Sequence, residues 1–110
     1  MKIETYLDSF AISIVHPDDS DAPTVVAAKV ANELLNVEGI RASFVVTERD
    51  GVVYMSARSV DDLNVQVIME KLGGGGHANI AGAQLTDENC EGAIVKLKEL
   101  LDTMYNDGDI

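Results

Sequence analysis

Cysteine is all but missing from this chain: one residue, Cys90, in 110. A single thiol closes no internal disulfide, so a reducing compartment and a cytoplasmic location are expected. Tryptophan is absent, and there are two prolines and two histidines, His16 and His77. No HExxH, CxxC or GxxxxGK[ST] motif occurs, and no grouping of Asp and His has the look of a two-metal site. A self-sufficient metal hydrolase is hard to build from that inventory. Positive charge is scarce as well. Eight Lys and Arg face nineteen Asp and Glu, a net charge of -11. Such a surface keeps a protein in solution and repels nucleic-acid backbones at long range, which argues against a broad nucleic-acid face but not against a small anion in a local pocket. No basic start followed by an apolar run is visible, and no stretch of about 18 apolar residues occurs. No membrane contact is expected of this domain, although a parent protein anchored elsewhere, with this domain facing the cytoplasm, is compatible with that.

What is present suffices for a core. The chain is 46% hydrophobic, enough for one domain over 1–110 without metal or disulfide. Phe10, Ile12 and Ile14 alternate with Ala11, Ser13 and Val15, the pattern of a strand buried on both faces. His16 to Pro23 is acidic, holds both prolines and reads as a loop. Thr24 is placed to cap a helix reaching about Asn36, with Ala27, Val30, Ala31, Leu34 and Leu35 as its apolar stripe. Gly39 suits the turn that follows. Ala42, Phe44 and Val46 then share one face of a strand. In the next strand Val53, Met55 and Ala57 share a face while Tyr54, Ser56 and Arg58 point the other way, and Asp50-Gly51 between the two strands is a hairpin signal. A helix is predicted from about Asn64 to Leu72, with Asn64 as its cap and Gly73 as its stop. Ala78 to Ala81 is expected to form one helical turn, Gln84 and Leu85 a short extended piece. A last helix begins at Thr86 or Asp87, with Ile94, Leu97, Leu100, Leu101 and Met104 inward, and 106–110 is a frayed tail. The order strand, helix, strand, strand, helix, strand, helix fits an α/β (α+β) domain with a mixed sheet, an antiparallel hairpin and helices packed on it.

The segment that carries chemistry is Gly73-Gly74-Gly75-Gly76-His77-Ala78-Asn79-Ile80-Ala81-Gly82. Four successive glycines are entropically expensive to order. They belong in a fold where backbone comes very close to something or turns unusually, and a Gly-rich loop opening into a helix offers N–H groups to anions. A flexible linker is the alternative, but linkers run between polar segments, and this run follows the apolar Leu72. His77 at its edge is able to donate to a phosphate or ribose oxygen, or serves only the structure. Arg58, followed by Ser59, is either a phosphate ligand with paired donors or a surface arginine paired with Asp61, Asp62 or Glu70.

The run SARSVDDLNVQVIMEKLGGGGHANIAGAQ, Ser56 to Gln84, resembles the DHH-associated domain of the DHH phosphoesterases, which carries a GGGH motif followed by a small AG segment. The likeness extends from about Phe10 to Met104 and is most specific for the cyclic-di-AMP phosphodiesterases of Gram-positive bacteria, whose motif follows an NVQVIMEKLGG-like helix and a strand ending in SARS. The related oligoribonucleases and adenosine-bisphosphate phosphatases commonly carry a basic residue just after the motif; here Ala78 and Asn79 stand there. The resemblance implies a mixed-sheet domain that grips nucleotide while a separate upstream DHH domain, in cis, holds two manganese ions. By position it assigns Gly74, Gly75, Gly76 and His77 to the GGGH motif and Arg58 and Ser59 to the Arg-Ser pair that follows the strand, all as substrate-binding residues. The metal ligands have no counterpart here, so no catalytic residue and no bound manganese are expected in this piece. The implied partner is a cyclic dinucleotide. The alternatives are a short oligonucleotide or adenosine bisphosphate, and a non-catalytic nucleotide-binding, RNA-binding or dimerisation module.

Overall fold

The computed structural model describes residues 2–18 and 21–110. Nine elements follow one another: β1 (Ile3–Tyr6), β2 (Phe10–Ile14), α1 (Pro23–Leu34), β3 (Ala42–Arg49), β4 (Val52–Ser59), α2 (Val65–Lys71), β5 (Gly75–His77), β6 (Ile80–Leu85) and α3 (Cys90–Asn106). The strands form one six-stranded sheet in the order β1-β2-β3-β4-β6-β5. Only β2 and β3 run parallel, joined by the crossover helix α1; every other pairing is antiparallel. The expected mixed sheet with a hairpin is therefore the fold.

Alternation along each strand divides the residues between two faces. One face carries the main core. Phe10, Ile12, Phe44, Val46, Val53, Met55, Ala57, Ala83 and Leu85 meet Val65, Ile68 and Met69 of α2 and Ala93, Leu97, Leu101 and Met104 of α3. Phe10 and Phe44 pack edge to face, ring centroids 6.1 Å apart. On the other face a smaller core forms under α1, where Ala11, Val15 and Val45 meet Ala27, Ala31 and Leu34. The Ser43 hydroxyl donates to the Ala31 carbonyl at 2.7 Å across that contact. That helix covers only part of its face, and the uncovered part is where the glycine segment lies.

Several expectations need correction. The 78–81 segment is not a helical turn. His77 pairs with Ile80, Gly76 with Ala81 and Gly75 with Gly82, so the glycines form an edge strand hairpinned onto β6. Ala and Gly are weak strand formers, which hides the alternation of buried Ala81, Ala83 and Leu85 with Ile80, Gly82 and Gln84. Helix α1 is not capped by Thr24. It starts at Pro23 after Ala22, with no side-chain cap, because proline at the first helical position already has the required φ and lacks the N–H a cap would satisfy. It ends at Leu34, short of Asn36. Helix α3 starts at Cys90 and not at 86–87, since the Asn89 side chain accepts from Gly92 N–H at 2.8 Å. The 106–110 tail folds back: Gly108 takes φ +78°, Asp109 N–H donates to the Met104 carbonyl at 2.8 Å and Ile110 packs on the core. Strand β1 escapes sequence reading because its turn to β2 places Leu7 and Asp8 at positive φ without a glycine.

Candidate functional site

Strand register builds one wall and the floor of a cleft. Tyr54, Ser56 and Arg58 on β4 stand opposite Gln84, Gly82 and Ile80 on β6. Gly82 and Ile80 in turn stand opposite Gly75 and His77 on β5. Cross-strand partners share a face, so these residues lie together on the face that α1 leaves open. The second wall is α1 itself. Thr24 and Ala28 line the cleft, and Asn32, four residues further along the same helix face, reaches Arg58 with its side-chain oxygen at 3.0 Å. Thr24 to Asn32 spans roughly 12 Å of helix, and Tyr54 to Arg58 roughly 14 Å of strand, so the two rows run side by side. Between them lies a space of about 650 Å³ lined by Arg58, Gly73–His77 and the β4 and β6 stripes. Small residues, Ser56, Gly82 and Gly75, occupy its middle.

Among the described residues, Arg58 is the only Lys or Arg lining this cleft. Two of the chain's lysines pair with carboxylates, Lys96 with Glu88 at 3.0 Å and Lys98 with Glu4 at 2.6 Å. The Arg49 guanidinium donates to the backbone carbonyls of Asp18 and Asp21. Arg58 has no carboxylate partner among the described residues. Its Nε donates to Asn32 Oδ1, and Nη1 to the Ala57 carbonyl at 2.8 Å. It does not pair with Asp61, Asp62 or Glu70. Partial burial lowers its pKa from the ordinary value, yet a guanidinium stays charged. An uncompensated cation, kept half-buried in a chain of charge -11, leaves donors for an anion.

The glycines divide by role. A Cβ on Gly74 would sit 2.0 Å from the Gly82 carbonyl oxygen, and one on Gly76 would sit 2.5 Å from that of Ile80. These two let the edge strand lie against β6. Gly76, at φ +143°, also needs glycine's backbone freedom. Gly75 has neither constraint: a Cβ there meets nothing within 4 Å, and its face is the cleft floor. Because no helix follows the glycines directly, a helix dipole contributes nothing here; β5 is the edge of the sheet, and no further strand covers its outer side among the described residues. Ser59 does not join the cleft. It is buried, its hydroxyl donates to the Leu63 carbonyl at 2.6 Å, and it accepts from Asn79 Nδ2 at 2.9 Å. That same Asn79 amide lies 3.1 Å from the Asp61 carbonyl and 3.3 Å from that of Leu63. Ser59 and Asn79 thus fasten the hairpin turn to the β4–α2 connection and hold the glycines from behind.

A family model described as the DHHA1 domain matches residues 7–104. The chain belongs to the DHHA1 domain family. This DHHA1 domain is 45% identical over 104 residues to the cyclic-di-AMP phosphodiesterase PdeA of Listeria monocytogenes serotype 1/2a (strain 10403S), a match covering 94% of the chain and 16% of that relative. It is 43% identical over 104 residues to the cyclic-di-AMP phosphodiesterase GdpP of Geobacillus thermodenitrificans (strain NG80-2), covering 93% and 16%. It therefore spans only 16% of the length of either relative. Among solved structures, an exopolyphosphatase-related protein from Bacteroides fragilis superposes with a TM-score of 0.73 at 20% identity, over 93% of this chain and 31% of that one. The C-Ala domain of Aquifex aeolicus alanyl-tRNA synthetase gives 0.67 at 18% identity, over 92% and 98%. At those identities the likeness establishes the fold.

Within this DHHA1 domain, no three His, Cys, Asp or Glu side chains converge among the described residues in a way that could hold a metal ion. Among the described residues, no helix is long and apolar enough to cross a membrane. Sequence reasoning missed the α1 wall. Its signal was the helical spacing of Thr24, Ala28 and Asn32 beside the apolar stripe, which becomes meaningful only once the strand it faces is known. The same reasoning put Tyr54 and Arg58 on one face but did not join Gln84 to them, because the 80–85 strand was read as a turn and a short extended piece.

Proposed function

We propose that this domain is the nucleotide-gripping part of a phosphodiesterase that opens cyclic-di-AMP to the linear dinucleotide. The observation that carries the reading is the Arg58 guanidinium, without a carboxylate partner among the described residues, at one end of a cleft whose floor is glycine backbone. Phosphate is the anion that matches a planar fork of donors beside a glycine strand at the sheet edge. His77, in the same register as Arg58 but two strands over with Ile80 between them, adds a donor at the same end. The opposite end, roughly 14 Å away, carries the neutral polar pair Tyr54 and Gln84, where a base fits. A chain of backbone phosphates would need a row of cations, and the cleft offers one. The names of the Listeria and Geobacillus relatives support the same substrate.

In the full-length protein the step is addition of water to one phosphorus with departure of the ribose oxygen. The contribution of this domain is to bind, to orient the phosphodiester and to exclude solvent from it. Manganese and the groups that activate water belong to an upstream domain in this reading, so the chain alone binds substrate without turning it over. Arg58→Ala in the full-length protein tests the assignment. A charge-assisted hydrogen bond is worth roughly 1.5–3 kcal/mol, so kcat/KM for cyclic-di-AMP falls by about ten- to a hundredfold. An unchanged kcat/KM contradicts the assignment.

A further inference from the structure

We propose that Asn32 is the positioning residue for Arg58: α1 supplies a neutral oxygen where an ion pair would ordinarily form, aiming the guanidinium into the cleft while leaving its charge for phosphate. This rests on the phosphate-binding reading of the cleft. A guanidinium has five N–H donors. One is taken by Asn32 Oδ1 and one by the Ala57 carbonyl, so three remain, including both on Nη2. The two anchors come from different elements, α1 and β4, and fix the plane of the fork through Nε and Nη1. The remaining edge is the one that makes paired bonds to a phosphate.

The choice of an amide is informative. Nineteen Asp and Glu are available in this chain, and aspartate fills the same space with the same acceptor atom. An aspartate at position 32 would hold Arg58 at least as firmly. It would also cancel its charge and place a second anion in the path of an incoming phosphate, a like-charge contact that opposes binding. Asparagine is a poor helix former, and Asn32 is exposed, so neither propensity nor packing accounts for it. A neutral acceptor satisfies both requirements: an ordered guanidinium and a cleft that stays net positive at one end. Positioning by Asn32 also explains why Arg58 need not lean on Asp61 or Asp62, which lie only a few residues along the chain.

The test compares Asn32→Ala, Asn32→Asp and Arg58→Ala in this chain. The first readout needs no ligand: the heteronuclear NOE and solvent exchange of the Arg58 Nε–H. Asn32→Ala should lower the NOE and speed exchange; Asn32→Asp should leave both as they were or slow exchange further. The second readout is titration with cyclic-di-AMP followed by NMR. Asn32→Ala should weaken binding several-fold. Asn32→Asp should weaken it by on the order of tenfold or more, although the guanidinium is held in place and the domain remains folded by its amide spectrum. A purely structural Asn32 makes aspartate the better variant, so affinity for Asn32→Asp equal to that of the unaltered chain overturns the proposal. So does an Arg58 Nε–H unaffected by Asn32→Ala. If Arg58→Ala itself leaves binding unchanged, it is the phosphate reading of the cleft that fails, while the Nε–H readout still decides whether Asn32 orders Arg58.

Discussion

Substituting the three glycines Gly74, Gly75 and Gly76 one at a time separates fold from function at neighbouring positions. Gly75→Val adds a side chain where a Cβ has no atom within 4 Å and where φ is not left-handed. Replacing glycine at a compatible position removes unfolded-state freedom and stabilises by roughly 0.4–1 kcal/mol, and a β-branched residue suits a strand. Stability should therefore be retained or slightly raised. The isopropyl group stands on the cleft floor beside Gly82 and blocks close approach of phosphate to the glycine strand. Gly74→Ala has the opposite profile. Its Cβ would meet backbone oxygen at 2.0 Å, so β5 must move off β6 at a cost of about 1–3 kcal/mol. Gly76→Ala adds a 2.5 Å clash to an unfavourable φ of +143°, worth about 1–3 kcal/mol by strain alone. For a domain of this size each kcal/mol lowers Tm by roughly 4–8 °C. Thermal unfolding and NMR titration with cyclic-di-AMP give both axes. The expected result is Gly75→Val stable and at least about tenfold weaker in binding, with Gly74→Ala and Gly76→Ala visibly destabilised. A Gly75→Val variant that binds like the unaltered chain refutes the cleft-floor assignment; a Gly74→Ala variant with unchanged Tm refutes the close β5–β6 approach.

Asn79→Ala removes the amide that joins the hairpin turn to Ser59, Asp61 and Leu63. The bonds to Ser59 and Asp61 are lost while the Leu63 carbonyl keeps its bond from Ser59, so urea unfolding should show a loss of about 0.5–1.5 kcal/mol, with binding reduced because the glycine strand loosens. Equal stability would mean the clasp is decorative. Cys90, buried and close to Glu48 and Glu91, has its thiol pKa raised to about 11, burial being the main cause and the two carboxylates adding to it. A native chain at pH 8 should therefore react with thiol reagents only as fast as it unfolds. An unfolded thiol ionises near about 8.5; between that value and about 11 the unfolded chain releases a proton the folded one retains, and stability falls across that window. Rapid labelling at pH 8 without unfolding would contradict the burial of Cys90.

Sequence legibility followed the strength of local signals. Strands β2, β3 and β4 were readable because large apolar residues alternate along them. Asp50-Gly51 marked the hairpin, and the structure gives both residues positive φ. Asn64 capped α2 as read, its side chain accepting from Val67 N–H at 3.2 Å. Strands β1 and β5 were not readable. The first is short, exposed and entered through a turn without glycine; the second is made of glycine and takes its extended form from β6 rather than from its own propensity. Of the six binding residues inferred from resemblance, Arg58, Gly74, Gly75, Gly76 and His77 converge on one cleft, whereas Ser59 turns inward to hold the loop. Sequence adjacency implied that Arg58 and Ser59 act together, but neighbours on a strand face opposite ways. That one fact separates a cleft-facing arginine from an inward-turned serine.

The most direct test is a map of amide shifts when the unaltered chain is titrated with cyclic-di-AMP. On the proposed reading, in which another domain contributes the rest of the substrate site, affinity should be weak, roughly millimolar or about -4 kcal/mol, and it should weaken further with salt. Shifts should concentrate at 73–77, at Tyr54 to Arg58, at 80–84 and along the Thr24–Asn32 side of α1. Shifts confined to the outer face of α3 around Ile94 to Met104, or to the separate cleft that Arg41 and Lys71 line near the C-terminus, would contradict the account and move the binding surface to the other side of the sheet.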